Sequence, residues 1–178
     1  MTRFYLLDTG TTVCILTGAS PAARYRLTRL GKDEVACVSA VTAAELWHEL
    51  ERIGGSERLR RPLGMFLDRI RVLPWGGSEA LAYGAFRSRQ EASGQPLGPL
   101  DAQIAVQAIA AGAVLVTNDA TFERIHGLPG IESWTTDLPP GHGSPQRASR
   151  DKASLPGRPL TGWLRARLAR LRFHRSRL

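Results

Sequence analysis

The chain has 178 residues, is 43% hydrophobic and carries a formal net charge of +8, a length that suits one domain with a sizeable core. No apolar run approaches the roughly 20 residues needed to cross a bilayer, and Arg3 is not followed by a signal-peptide pattern, so no transmembrane segment is expected and the protein is read as cytoplasmic. The charge is uneven: residues 139–178 hold ten Lys and Arg against one acid, while residues 1–138 hold fourteen against fifteen, so the high isoelectric point says little about a ligand of the body. Cys14 and Cys37 show neither metal-ligand spacing nor a disulfide framework and read as free thiols among apolar neighbours.

Residues 4–7, "FYLL", are a short apolar run ending at Asp8 and read as a buried strand. A helix follows over 11–17, with Thr11 or Thr12 as cap candidates. "PAARYRLTRLG" at 21–31 opens with Pro and closes with Gly, which predicts an amphipathic helix. "VACV" at 35–38 is a second strand, and Ser39 or Thr42 starts a helix that Gly54 and Gly55 stop. Residues 56–70 predict a helix interrupted near Pro62. Then come a strand at 70–75, a helix at 78–93, a helix at 99–111, a strand at 113–117, a helical turn at 120–126 and a last strand at 131–134. Short apolar strands alternating with helices predict an α/β domain whose mostly parallel sheet is covered on both faces.

From Pro139 the composition turns to Pro, Gly, Ser and basic residues, which predicts a disordered linker over 139–160. Residues 161–178 place Leu164, Leu168 and Leu171 at i, i+4 and i+7 among arginines, the pattern of a basic amphipathic helix. The body of the chain is thus 1–138.

In an open parallel sheet, ligands bind outside the carboxyl ends of the strands. Asp8 follows the first strand there, Asp119 lies just beyond the fourth, Glu45 sits in the helix after the second, and Asp101 begins the 99–111 helix. Each has a structural reading: Asp8 as a helix cap, Asp101 as a partner of the helix dipole, Asp119 as a turn residue. Glu45 stands in a mostly apolar stretch and needs a reason. Four carboxylates converging on one edge repel each other unless a hard cation compensates them, and Mg²⁺ prefers such oxygens. Bound there, it activates water and offsets phosphodiester charge.

"YLLDT" at 5–9, "VSAVTAAEL" at 38–46, "PLDAQIAVQAIAAGAVLVTND" at 99–119 and "ATFERIHGLPGIESW" at 120–134 resemble a PIN-domain ribonuclease, more narrowly a VapC-type toxin of a bacterial toxin–antitoxin pair. The resemblance covers about residues 3–136. It implies a three-layer α/β/α fold and an acidic quartet of Asp8, Glu45, Asp101 and Asp119 that holds Mg²⁺, with Mn²⁺ able to substitute. Asp8 and Asp101 match the direct metal ligands, and Thr9 and Asn118 stand beside the acids as supporting residues. It further implies an RNA substrate, a homodimer and a small inhibitory antitoxin. Where such proteins commonly carry Asn or Ser after Asp-Thr, this chain has Gly10.

Arg58, Arg60 and Arg61 could flank the cleft and hold RNA phosphates, or form a solvated helix face. Arg165, Arg167 and Arg170 of the tail could do the same with salt-sensitive affinity, or belong to an extension without such a role. One rival is a catalytically weak RNA- or partner-binding module. An aspartic protease would need a second Asp-Thr-Gly on an all-β frame, and the alternating pattern argues against it.

Overall fold

The computed structural model describes residues 1–94 and 97–135; the linker at 139–160 and the basic segment at 161–178, with Arg165, Arg167 and Arg170, lie outside them. Five strands, β1 (Arg3–Leu7), β2 (Glu34–Ser39), β3 (Arg71–Leu73), β4 (Val114–Val116) and β5 (Ile131–Glu132), form one sheet in the order β3-β2-β1-β4-β5. All four pairings are parallel. Six helices, α1 (Thr9–Thr17), α2 (Pro21–Thr28), α3 (Ala40–Arg52), α4 (Glu57–Leu67), α5 (Gly77–Ala92) and α6 (Pro99–Ala110), connect the strands, with a 3₁₀ turn at Ala120–Arg124.

Side chains alternate across a strand, so β1 feeds two cores. Tyr5 and Leu7 pack with Val38, Val114 and Val116 against Val13, Leu46, Leu50, Leu63 and Phe66 on the face covered by α1, α3 and α4. Leu6, Cys37 and Leu115 pack with Phe86, Ala102, Ala105 and Phe122 on the face covered by α5 and α6. This is the expected α/β/α architecture. Cys37 is fully buried and burial pushes its thiol up to about 12, so it behaves as a small core residue.

Several boundaries differ from the sequence reading. Helix α1 begins at Thr9 and is capped by Asp8, not by Thr11 or Thr12, because the Asp8 carboxylate accepts the Thr11 N–H at 2.6 Å. Helix α3 is capped by Ser39, whose hydroxyl accepts the Val41 N–H at 3.0 Å. Helix α2 ends at Thr28, before Gly31, because the Arg29 N–H turns back to the Arg26 carbonyl. Helix α4 runs unbroken through Pro62. Proline removes one helical donor, but Pro62 is buried beside Leu63 and Phe66, and that packing outweighs the missing bond. Strands β3 and β5 are shorter than expected.

The amino edge of the sheet is tied by charge. Glu34 accepts from Arg26 (2.9 Å), the Gly31 N–H (2.9 Å) and the Tyr5 hydroxyl (2.8 Å), and these bonds, Arg26 first, hold its carboxyl at about 2 against an ordinary 4.5. A lowered native value means stability that is present above the unfolded value and lost as pH falls through the native one. Glu34→Gln should therefore melt below the parent protein above pH 4.5, with the gap closing as pH falls toward 2. A gap independent of pH would show that packing, not charge, is lost.

A candidate metal centre at the carboxyl edge of the sheet

Strand β1 is central, and the chain leaves it toward β2 on one side while β4 lies on the other. That reversal of strand order opens a crevice at the carboxyl ends of β1 and β4. Asp8 directly follows β1 there and is buried. Its N–H donates to the Val116 carbonyl at 3.0 Å, and the Thr11 hydroxyl donates to the same carbonyl at 3.1 Å. The start of α1 is thus stitched to the end of β4.

Both Asp8 oxygens are held. Oδ1 accepts the Thr11 N–H, and Oδ2 accepts the Thr117 hydroxyl at 2.5 Å. The Thr117 oxygen in turn accepts the Asp119 N–H at 3.0 Å, so one threonine bridges two of the expected acids. Asp119 itself caps the 3₁₀ turn, taking the Thr121 N–H at 2.9 Å and the Thr121 hydroxyl at 2.6 Å. Burial pushes the Asp8 carboxyl above its ordinary range, and the charge of Asp119 pushes the same way; the bonds from Thr117 and Thr11 oppose both.

Glu45 lies on α3 and is half-buried. The Thr9 hydroxyl donates to its Oε2 at 2.6 Å, which links Glu45 to the residue next to Asp8 and gives Thr9 its supporting contact. Asp101 stands exposed in the first turn of α6. Because α6 runs into β4 and packs on the sheet, its amino end lies at the same carboxyl edge. The Asp101 Oδ2 lies 3.0 Å from where a Cβ on Gly98 would stand, folded over the start of its own helix.

Asp8 and Asp119 are therefore joined through Thr117, and Glu45 is joined to the Asp8 segment through Thr9. Among the described residues, no three His, Cys, Asp or Glu side chains stand close enough together to hold one ion. Mg²⁺ does not require such a cage: it keeps several waters and is commonly held by one or two carboxylates together with substrate phosphates. An all-oxygen donor set with one buried, partly compensated carboxylate fits that chemistry.

Asn118, expected beside the acids, has its side-chain partners in the segment after β5. Its amide donates to the Thr135 hydroxyl and accepts from Ser133 at 2.5 Å, so it anchors the segment after β5. Arg60 is engaged as well, with Glu51 and with the Gly55 carbonyl at 2.7 Å, whereas Arg58 and Arg61 are exposed on α4. Thr117 is the residue that sequence reasoning passed over. Its signal was a hydroxyl at a strand end two residues before an acid, a spacing that lets the side chain take the i+2 N–H.

The PIN domain family matches residues 5–128. A tRNA(fMet)-specific endonuclease VapC from Shigella flexneri is 35% identical over 136 residues, covering 74% of this chain and 98% of that protein. Among solved structures, VapBC2 from Rickettsia felis bound to a DNA fragment from its promoter superposes with a TM-score of 0.69 at 29% identity, over 74% of this chain and 99% of that one. DNA-bound VapBC from Salmonella typhimurium gives 0.68 at 32% identity, over 75% and 99%. With its parallel sheet, its acids at the carboxyl edge and these relatives, the chain belongs to the PIN-domain family and, within it, to the VapC-type ribonucleases.

Proposed function

We propose that this protein is a divalent-metal-dependent endoribonuclease, with Mg²⁺ as its ion and Mn²⁺ as a substitute, and that it is the toxin of a type II toxin–antitoxin pair. The observation that carries this reading is the Asp8–Thr117–Asp119 bridge, a buried carboxylate held beside a second acid at the switch point of the sheet. Asp8, Asp119, Asp101 and Glu45 would line the ion's site, with the ion keeping several of its waters between them. When bound, the ion supplies Lewis-acid activation of water and offsets the charge of the phosphodiester. Thr117 fixes the orientation of Asp8, and Thr9 fixes Glu45 as the acid on the α3 side that orients water. Arg58 and Arg61 would meet RNA phosphates from α4. The names of the relatives support structured RNA such as tRNA as substrate and a small antitoxin as inhibitor. A homodimer in the bacterial cytoplasm completes the proposal.

The test is cleavage of initiator tRNA and of ribosomal RNA fragments by protein freed of antitoxin. Mg²⁺ or Mn²⁺ should support cleavage, EDTA should stop it, and Asp101→Asn should lower it by at least about 100-fold while leaving the melting temperature unchanged. Tight RNA binding without any EDTA-sensitive cleavage would establish the binding-module reading instead.

A further inference from the structure

A phosphate chain meets like charge at the carboxyl edge of the sheet, and residues 1–138 as a whole carry fourteen Lys and Arg against fifteen acids. Five of those cations are neutralised locally: Arg3 pairs with Glu132, Arg26 with Glu34, Arg52 with Glu49, Arg60 with Glu51 and Arg87 with Glu91. Phosphate affinity scales with the number of cations brought to the nucleic-acid backbone, so the body offers little of it. The counterweight lies in one stretch. Residues 139–178 carry ten Lys and Arg against Asp151 alone, and residues 161–178 hold six arginines, Trp163 and Phe173 with no acid. Guanidinium groups interleaved with aromatic rings suit a nucleic-acid strand, the first for its phosphates and the second for stacking on its bases.

The place where this stretch joins the body decides its effect, because at physiological salt a charge acts over only about 8 Å. Asn118 directly precedes Asp119. Its side chain accepts from the Ser133 hydroxyl at 2.5 Å and donates to the Thr135 hydroxyl, and between those two residues Trp134 is buried against Tyr5. The chain therefore leaves the body at the carboxyl edge, next to an acid of the candidate site, four residues before Pro139. A segment joined there is held at an effective concentration on the order of millimolar. We infer that residues 139–178 are an RNA-binding arm, moored beside Asp119 by Asn118 and Trp134, which supplies most of the phosphate affinity for the substrate while the acids supply the cleavage chemistry. The inference rests on the RNA-substrate reading above.

The test compares the full-length protein with a variant in which Arg165, Arg167, Arg170, Arg172, Arg175 and Arg177 are all changed to glutamine. Both cores are built from residues between Phe4 and Trp134, so the two proteins should melt together. Binding of a fluorescent single-stranded RNA of about 20 nucleotides is followed by anisotropy in EDTA, from about 50 to about 200 mM KCl. At about 0.7 per phosphate contact, the variant should lose about 4 from the slope of log affinity against log salt, and at least about 100-fold in affinity at about 100 mM. Arg58→Gln with Arg61→Gln should lose no more than about 1.4 from that slope. In Mg²⁺, the six-glutamine variant should cleave initiator tRNA with a raised KM and a parent-like kcat, and a peptide of residues 139–178 added at micromolar concentration should not restore the KM. Parent-level affinity and slope would overturn the arm and leave the metal site standing. Tighter RNA binding or a lowered KM in the variant would overturn it too, by showing that the basic segment covers the acidic edge of its own body. Restoration by the free peptide would overturn the mooring. A slope lost in the variant, with no EDTA-sensitive cleavage by the parent, would uphold the arm and remove the metal-dependent reading.

Discussion

Asp8→Asn should lower RNA cleavage by about 1000-fold or more, roughly 4 kcal/mol of barrier, while the metal-free variant melts above the parent protein at neutral pH. The two effects have one cause. Burial and the Asp119 charge raise the Asp8 carboxyl above its ordinary range, so the folded protein holds a proton there more tightly than the unfolded chain does. Stability from such a group is complete below the unfolded pKa and is lost as pH rises through the native one. The metal-free parent should therefore lose stability as pH rises from 4 toward neutrality, and Asp8→Asn should be flatter. The amide can still accept the Thr11 N–H and can donate to Thr117, so the cap and the bridge persist. Melting curves in EDTA across this range, with cleavage assays alongside, read both effects. A variant that melts lower than the parent at neutral pH would show that the charged carboxylate anchors the fold, and its lost cleavage would then report unfolding.

Trp134→Ala should produce a large stability loss. Trp134 is buried beyond β5, its ring 5.3 Å from Tyr5 and tilted by 57°. The Arg26 guanidinium sits 5.3 Å from the Trp134 ring and 5.1 Å from that of Tyr5. The indole N–H donates to Glu132 at 3.0 Å, and Glu132 pairs with Arg3 on β1. Removing the indole opens a cavity in the core and takes away the ring face beside Arg26, which keeps its pairing with Glu34, for about 3–5 kcal/mol. Trp134→Phe keeps the ring contact and loses the N–H bond, so it should retain more than half of that stability. Urea midpoints measure both. Equal midpoints for Ala and Phe would show that the hydrogen bond, not the packing, is what Trp134 contributes.

The sequence carried the layers and the order of elements because short apolar runs without alternation, separated by helical patterns, leave few folds for a chain of this length. It also placed Asp8, since a residue directly after a buried strand must emerge at the carboxyl edge. What it missed depends on contacts between distant segments. Asp8 read as cap or ligand, and it is a cap whose other oxygen takes a bond from Thr117, which no local pattern reveals. Asn118 read as support for the acids, but its partners, Ser133 and Thr135, follow β5 and come near only once that strand has docked. Pro62 read as a break because local propensity counts the missing donor and not the burial of the ring.

The bond between Thr117 and Asp8 spans 109 residues. Pairing of Tyr5 with Val114 spans the same distance in the sheet. Contacts of such sequence separation are slow to form, because the loop must close before any pairing offsets its entropy. On the ribosome, Asp8 emerges early, but its partner threonine and Asp119 are among the last residues of the body to be made. A nascent or partly folded chain therefore carries the first acid of the site without the second. Synthesis order would thus work as a safety catch on the proposed site: Asp8 and Asp119 are brought together only when β4 docks beside β1, the same event that supplies Val114 and Val116 to the face covered by α3 and α4.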